Sequence, residues 1–259
     1  MNFGIKYSNY INFTMTNITN RIMTWNFNNA NNVFEEFYGD ILNYGIPFDG
    51  TKALFNIGFT INNPSDNKIT VPFREWREDY AEAEWQWYLT GDPSAEKLGE
   101  IYGTVPKIWE RMTDSAGDVR SNYGWQWERN NQLEKVIEKL KTKPDTRQAV
   151  ITVYDGKEMG WFYKYDTPCT TAIQFSIVNN KLNMCVTMRS NDLWFGFCND
   201  QYCFSMLQKL IADRLSIELG SYYHFAHNLH LYERDWNREN KFKETKIEGF
   251  LQQRANYFK

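Results

Sequence analysis

Cysteine is scarce in this 259-residue chain: Cys169, Cys185, Cys198 and Cys203, with no CxxC pair. That usage argues against a disulfide framework and fits a reduced, cytoplasmic compartment. Histidine is scarcer still, with three residues confined to one heptad. Seven prolines and fifteen glycines are spread without a Ser/Gly/Pro-rich linker. No fixed-period repeat stands out, so residues 1–259 read as a single domain and not a solenoid. No apolar run approaches the ~20 residues of a membrane span, so no membrane association is expected. The opening MNFGIKYSNYINFTMTN has no basic start followed by an apolar stretch and is not expected to be a signal peptide. The NFT and NIT tripeptides then read as chance matches to the glycosylation pattern. Excess positive charge is also missing. The net charge of −3 argues against a broad cationic face for polymeric DNA or RNA, while leaving room for a few local Arg and Lys side chains around a small anion.

What the chain has in abundance is aromatic rings: 10 Trp, 16 Tyr and 18 Phe. These bury large areas and supply flat walls for flat ligands. Residues 1–45 are Asn-rich and weakly patterned. LFNIGFTIN (54–62) alternates as a strand does. DYAEAEWQWYLTGD (79–92) reads as a helix closed by Gly91. QLEKVIEKLKT (132–142) carries Leu133, Val136, Ile137 and Leu140 at helical spacing, with Pro144 and Asp145 beyond its end. QAVITVYD reads as a strand. AIQFSIV (172–178) and KLNMCVTM (181–188) flank Asn179 and Asn180 as a hairpin. FSMLQKLIADRLSIELG (204–220) reads as a core helix stopped by Gly220, and SYYHFAHNLHLY as extended chain. Strands and helices do not alternate strictly, which predicts α+β with a mixed sheet.

Four groups of residues carry chemical potential. Cys169 lies in DTPCTTAIQF between Pro168 and a strand; an adjacent arginine would lower its pKa and make it a nucleophile. The plain alternative is a small buried hydrophobe. MRSNDLWFGFCND (188–200) gathers Arg189, Ser190, Asn191, Asp192, Asn199 and Asp200 around Gly196. The Arg–Ser pair suits a phosphate and the carboxyls suit a heterocycle, unless the segment is a solvated loop. Glu82 and Glu84 lie among Trp85 and Trp87, where a carboxyl with raised pKa would shuttle protons. The alternative is the wet face of a helix. His224, His227 and His230 have the spacing HxxHxxH, but on a strand His227 faces away from the other two and on a helix the three fan out. No metal is expected.

Taken together, these segments resemble the thymidylate synthase superfamily over residues 50 to 250. PCTTAIQF resembles its nucleophile segment, with Cys169 and Gln174 at the family spacing. RSNDLWFGFCND resembles its phosphate and pyrimidine segment, with Arg189, Ser190, Asp192 and Gly196 in place. HLY, with His230 and Tyr232, resembles the ribose segment. PDTRQ resembles the pair of arginines that reaches a partner subunit's phosphate, here Arg147 with Gln148 in the second place. EWQWYLTGD resembles the segment of the catalytic glutamate, Glu84. NYGWQW supplies Tyr123, and KIEGF resembles the last strand. The resemblance implies a mixed twisted β-sheet packed with helices and a homodimer formed through the sheet. It also implies a folate cosubstrate, 5,10-methylenetetrahydrofolate, with Asp192, Gly196 and Trp109 on its side of the site. PFDGTK lacks the arginine of the early phosphate loop, which leaves Lys52 as a substitute.

Two departures point to one branch. Asp200 stands where these enzymes have Asn, and Thr170 follows the nucleophile where they have His. Both are similar to the deoxycytidylate hydroxymethylase branch, encoded mostly by bacteriophages. The chemistry agrees: uracil offers an N3–H donor and an O4 acceptor, matched by an amide, whereas cytosine offers a basic N3 and a donor N4 amine. A carboxyl at Asp200 accepts from N4 and shares a proton with N3, which helps the charge developing when Cys169 adds to C6. The resemblance thus implies that dCMP is hydroxymethylated at C5, with Glu84 organising water and Tyr123 positioning substrate. Three other readings stand beside it: a thymidylate synthase or dUMP hydroxymethylase reading uracil through Asn199, a non-catalytic nucleotide-binding protein, and a His-cluster metalloenzyme.

Overall fold

The computed structural model describes residues 25–244; the NFT and NIT tripeptides and KIEGF lie outside them. The chain runs β1 (Trp25–Phe27), α1 (Ala30–Tyr44), β2 (Ile46–Phe48), β3 (Thr51–Ile61), α2 (Glu78–Thr90), α3 (Ala95–Tyr102), α4 (Lys107–Met112), α5 (Tyr123–Glu128), α6 (Gln132–Thr142), β4 (Val150–Thr152), α7 (Met159–Phe162), β5 (Thr170–Val178), β6 (Lys181–Met188), β7 (Asn191–Asp192), α8 (Cys198–Leu215) and β8 (Glu218–Tyr232). The strands form one sheet in the order β1-β3-β8-β6-β5-β4, with β2 on β3 and β7 on β8. Pairings β1–β3, β6–β8 and β7–β8 are parallel and the others antiparallel. The α+β class with a mixed sheet is therefore the one found.

Local chemistry explains the elements that position the site. The β5–β6 hairpin turns on Asn179 and Asn180, both at positive φ (53° and 58°), the combination an inverted two-residue turn requires. Helix α2 ends where Gly91 adopts φ 65°, a conformation that costs glycine little. Its buried face carries Ala81, Glu84, Trp85 and Tyr88, so Glu84 points inward with the rings. Helix α6 buries Leu133, Val136, Ile137 and Leu140 as its spacing predicts. The weakly patterned beginning hides a full helix, α1, which buries Val33, Phe34, Phe37, Tyr38 and Ile41. Its start is marked by Asn29, whose side chain accepts from the Asn32 N–H.

Gly220 does not stop α8. The helix ends at Leu215, with Ser216 in the left-handed region at φ 57°, and Gly220 lies inside β8. Glycine is required there for a different reason: a Cβ would collide with the Asn183 side chain and stand 3.0 Å from the Leu182 carbonyl oxygen. Asn183 Oδ1 uses that space to accept from the Ser221 backbone N–H at 2.9 Å. Between β7 and α8, residues Leu193–Phe197 form a π-helical turn that runs directly into α8, a geometry frequent at functional sites. Among the described residues, no helix is long and apolar enough to cross a membrane.

Candidate active site

Cys169 lies immediately before β5, beside the end of β6. Three hydrogen bonds from Arg189 clamp its loop: the backbone N–H donates to the Cys169 carbonyl (2.8 Å), Nε to Pro168 (2.9 Å) and Nη2 to Thr167 (2.7 Å). The same Nη2 stands 3.8 Å from Cys169 Sγ. The guanidinium does favour the thiolate, but burial outweighs it and the charges of Asp200, Asp166 and Asp192 add to burial. The thiol is pushed up to about 12, so the expected lowering is not found in the single chain and the group is protonated at neutral pH. Ser190 is half-buried beside Arg189.

Asp200 occupies the first turn of α8. Asn191 Nδ2 donates to its Oδ2 at 2.9 Å. Burial, and after it the neighbouring Glu84 charge, hold this carboxyl well above the usual carboxylate range. Gly196 faces the pair: a Cβ there would stand 3.1 Å from Asn191 Nδ2 and 3.4 Å from Asp200 Oδ2. Asp192 caps the π-helical turn by accepting from the backbone N–H groups of Trp194 (2.9 Å) and Phe195 (3.4 Å), and burial pushes it up to about 6. Asn199 is turned elsewhere, its Oδ1 accepting from Trp76 Nε1 at 2.9 Å.

Glu84 is buried, not on the wet face of α2. Its Oε1 accepts from the Tyr88 hydroxyl at 3.1 Å, and its buried Oε2 has no hydrogen-bond partner. Burial pushes the carboxyl up to about 7, against the pull of the Tyr88 and Tyr80 hydroxyls. Glu82, the other candidate on this helix, is committed to Tyr202 (2.8 Å) and Gln86 (2.7 Å). Trp109 Nε1 donates to the Tyr80 hydroxyl at 2.7 Å and its ring packs edge-on against Trp87. Tyr123 opens α5 and packs on Tyr88 and Phe204. Burial, then the charges of Asp200 and Cys169, keep its phenol protonated.

Strand β8 carries the histidines. His230 lies opposite Asp192 in the β7–β8 register; its Nδ1 pairs with Asn228 Oδ1 at 2.8 Å, and burial lowers its pKa. Its ring meets Tyr232 edge-on at 5.2 Å. His224 is stacked on Phe59 in the core and held neutral by burial at about 3. His227 is exposed and bonded to Asn56. The heptad therefore does not converge, and the described residues contain no group of three metal-ligating side chains.

Four residues singled out in the sequence stay apart from this cluster in the single chain. Gln174 is exposed on β5, and Arg147 and Gln148 are exposed beyond α6. Lys52 is already engaged: its Nζ donates to the Leu42 carbonyl at 2.9 Å and lies 5.1 Å over the Trp236 ring. Other contributors had no role assigned from sequence. Asn191 was visible in the RSND segment, but nothing in a linear pattern says that its amide meets Asp200. Arg74 is buried, donates from Nε to the Trp194 carbonyl at 2.8 Å and stacks on that ring, bracing the π-helical turn from 120 residues away.

These elements converge in the order of one known family, whose model, thymidylate synthase, matches residues 50–249. The chain belongs to the thymidylate synthase family. Members of the family are folate-dependent one-carbon transferases that act on a nucleotide. The deoxycytidylate 5-hydroxymethyltransferase of Enterobacteria phage T4 is 33% identical over 156 residues, 58% of this chain and 60% of that protein, and its phage T2 counterpart gives the same values. The thymidylate synthase of Fusobacterium nucleatum subsp. nucleatum is 29% identical over 201 residues, 73% of this chain and 71% of that protein. The chain thus spans 60% of the length of the phage relatives it matches.

Proposed function

We propose that this member of the thymidylate synthase family is a dCMP hydroxymethylase, acting as a single catalytic domain in a homodimer. The observation that carries the reading is the placement of Asp200, whose Oδ2 accepts from Asn191 Nδ2 at 2.9 Å while desolvation and the Glu84 charge push the carboxyl toward its protonated form. A protonated carboxyl offers one donor and one acceptor. It can therefore give a hydrogen bond to cytosine N3 and accept one from the N4 amine, which an ionised carboxylate cannot.

In this reading Arg189 and Ser190 bind the dCMP phosphate, joined by Arg147 of a second copy, a side chain that is exposed in the single chain. His230 and Tyr232 hold the ribose, and Gln174 and Tyr123 help to place the nucleotide. Cys169 gives its thiol proton to water and Sγ adds to C6 of the ring as the thiolate. A thiol held at about 12 needs help to ionise, and the second copy's Arg147 brings the further positive charge. Asp200 shares its proton with N3 as electron density flows there, so the hydrogen bond strengthens in the transition state.

The family's cosubstrate, 5,10-methylenetetrahydrofolate, would supply the one-carbon unit. Asp192, Gly196 and Trp109 are the residues that would hold it. They fit such a group: Gly196 leaves open the space a Cβ would take, and Glu84 Oε2 is a buried acceptor without a protein partner. Glu84, poised at about 7, orients the water and takes its proton at Oε2. Overall the C5 hydrogen of dCMP is exchanged for a hydroxymethyl group, one water is consumed, tetrahydrofolate is released, and Cys169 leaves C6 as the ring double bond re-forms.

The test is incubation of the purified chain with methylenetetrahydrofolate and either dCMP or dUMP, with products identified by mass. 5-Hydroxymethyl-dCMP is the expected product. The bacterial relative's longer match favours a second reading, a thymidylate synthase, which predicts a methylated product from dUMP. No product from either nucleotide would favour a binding protein without catalysis.

A further inference from the structure

A neutral carboxyl does not choose a pyrimidine by itself. It has one hydroxyl oxygen and one carbonyl oxygen. With the hydroxyl opposite N3 and the carbonyl opposite N4 it matches cytosine. With the two exchanged it accepts from the N3–H of uracil and donates to O4. Discrimination by Asp200 therefore requires something that keeps its proton on one particular oxygen.

We infer that Asn191 is the positioning residue that does this: its amide, by donating to Asp200 Oδ2, keeps the carboxyl proton on Oδ1 and commits the ring edge to cytosine. The role rests on the cytosine reading of Asp200 proposed above and assigns Oδ1 to N3. The geometry is specific. Asn191 is 1% exposed, so water does not compete for its amide. Its Oδ1 is buried without a partner, and the 2.9 Å bond from Nδ2 to Asp200 Oδ2 is the hydrogen bond its side chain makes. A donor N–H facing Oδ2 disfavours a second hydrogen on that oxygen. Three separate elements build the contact. Strand β7 sets Asn191 opposite Leu229, the first turn of α8 supplies Asp200, and the π-helical turn places Gly196 where a Cβ would crowd Asn191 Nδ2 at 3.1 Å. Its side-chain hydrogen bond runs to Asp200, so its effect passes through that residue.

The experiment measures kcat and KM for dCMP and dUMP with the full chain, as wild type, Asn191→Ala and Asn191→Asp. In Asn191→Ala the dCMP:dUMP ratio of kcat/KM should fall by about tenfold or more, because a buried polar mismatch is no longer enforced against uracil. Part of that fall should be an absolute rise for dUMP, which a general loosening of the site does not produce. Asn191→Asp preserves volume but presents an acceptor to Oδ2, and should move the preference further toward dUMP. A ratio within about twofold of wild type in either folded variant, or equal losses on both nucleotides, overturns the role of Asn191. So does failure of both variants to fold, which would mark the residue as structural. A wild-type chain that prefers dUMP overturns the cytosine reading of Asp200 itself. A wild-type chain that prefers dCMP, with an unmoved ratio in the variants, overturns the role of Asn191 alone.

Discussion

Replacing Glu84 by Gln should make the fold more stable at alkaline pH while removing turnover. Glu84 is 5% exposed, and burial raises its carboxyl from an ordinary 4.5 to about 7. Below pH 4.5 the group is protonated in both folded and unfolded chains and contributes nothing to the pH dependence. Between 4.5 and 7 the unfolded chain releases the proton that the fold retains, so stability falls as pH rises. Above 7 the loss is complete. At about 1.4 kcal/mol per pH unit, that interval corresponds to roughly 3 kcal/mol. Glutamine keeps the shape, can still accept from Tyr88 through its amide oxygen, and does not titrate. The stability of Glu84→Gln relative to wild type should therefore grow by about 3 kcal/mol between pH 4 and pH 8. Urea unfolding across that range, on both proteins and at one protein concentration, measures it. Parallel stability curves for the two proteins would refute the buried, proton-retaining state of Glu84, whatever the activity of the variant.

Four other outcomes are expected. Asp200→Asn should lose dCMP turnover, because an amide cannot pass its proton to N3 as charge develops there, and should gain dUMP turnover when combined with Asn191→Asp, which removes the donor that keeps the acceptor at Oδ2, the preference moving by several kcal/mol at ~1–3 kcal/mol per unpaired buried group; Asn199→Ala, which loses the Trp76 contact, should keep the preference; kcat/KM on both nucleotides decides, and a collapse of base discrimination in Asn199→Ala would return the uracil reading to Asn199. Cys169→Ser should bind dCMP with almost no turnover, because an alcohol ionises far less readily than a thiol; Cys185→Ser should stay active, and the reverse pattern would displace Cys169 as nucleophile. Arg147→Ala should weaken dCMP binding by about 1.5–3 kcal/mol, seen by calorimetry, whereas a fully active monomer at micromolar concentration would exclude a shared phosphate site. Gly220→Ala should lower stability by about 1–3 kcal/mol, since its Cβ meets Asn183 and Leu182; an unchanged Tm would show that β6 and β8 can separate there at little cost.

Much of this architecture was legible in short-range patterns, for identifiable reasons. The Asn179–Asn180 turn, the Gly91 stop and the apolar stripe of α6 each depend on backbone sterics or on burial of one helix face, and both leave a local signature. Helix α1 was obscured because its start is crowded with Asn residues, although Val33, Phe34, Phe37, Tyr38 and Ile41 keep helical spacing. Gly220 misled because glycine serves equally as a helix stop or as the gap that another side chain fills, and Asn183 decides which.

The candidate site divides along the same line. Cys169, Arg189, Asp192, Asp200, His230 and Glu84 could be named from the order and spacing of their segments, because a bond-forming site demands particular residue types. Their protonation states were not legible. Cys169 was expected with a lowered pKa beside Arg189, yet burial and three nearby carboxyls raise it. Those carboxyls come from the nucleophile loop, β7 and the start of α8, and their distances exist only once the sheet and helices have packed. The amide of Asn191 on Asp200 is of the same kind. Sequence alone determined most of the elements, the family and the chemical inventory, because these follow from residue type and local spacing. Tertiary structure decided which oxygen meets which donor and which acids keep their protons, because hydrogen bonding and desolvation are set by neighbours distant in the chain.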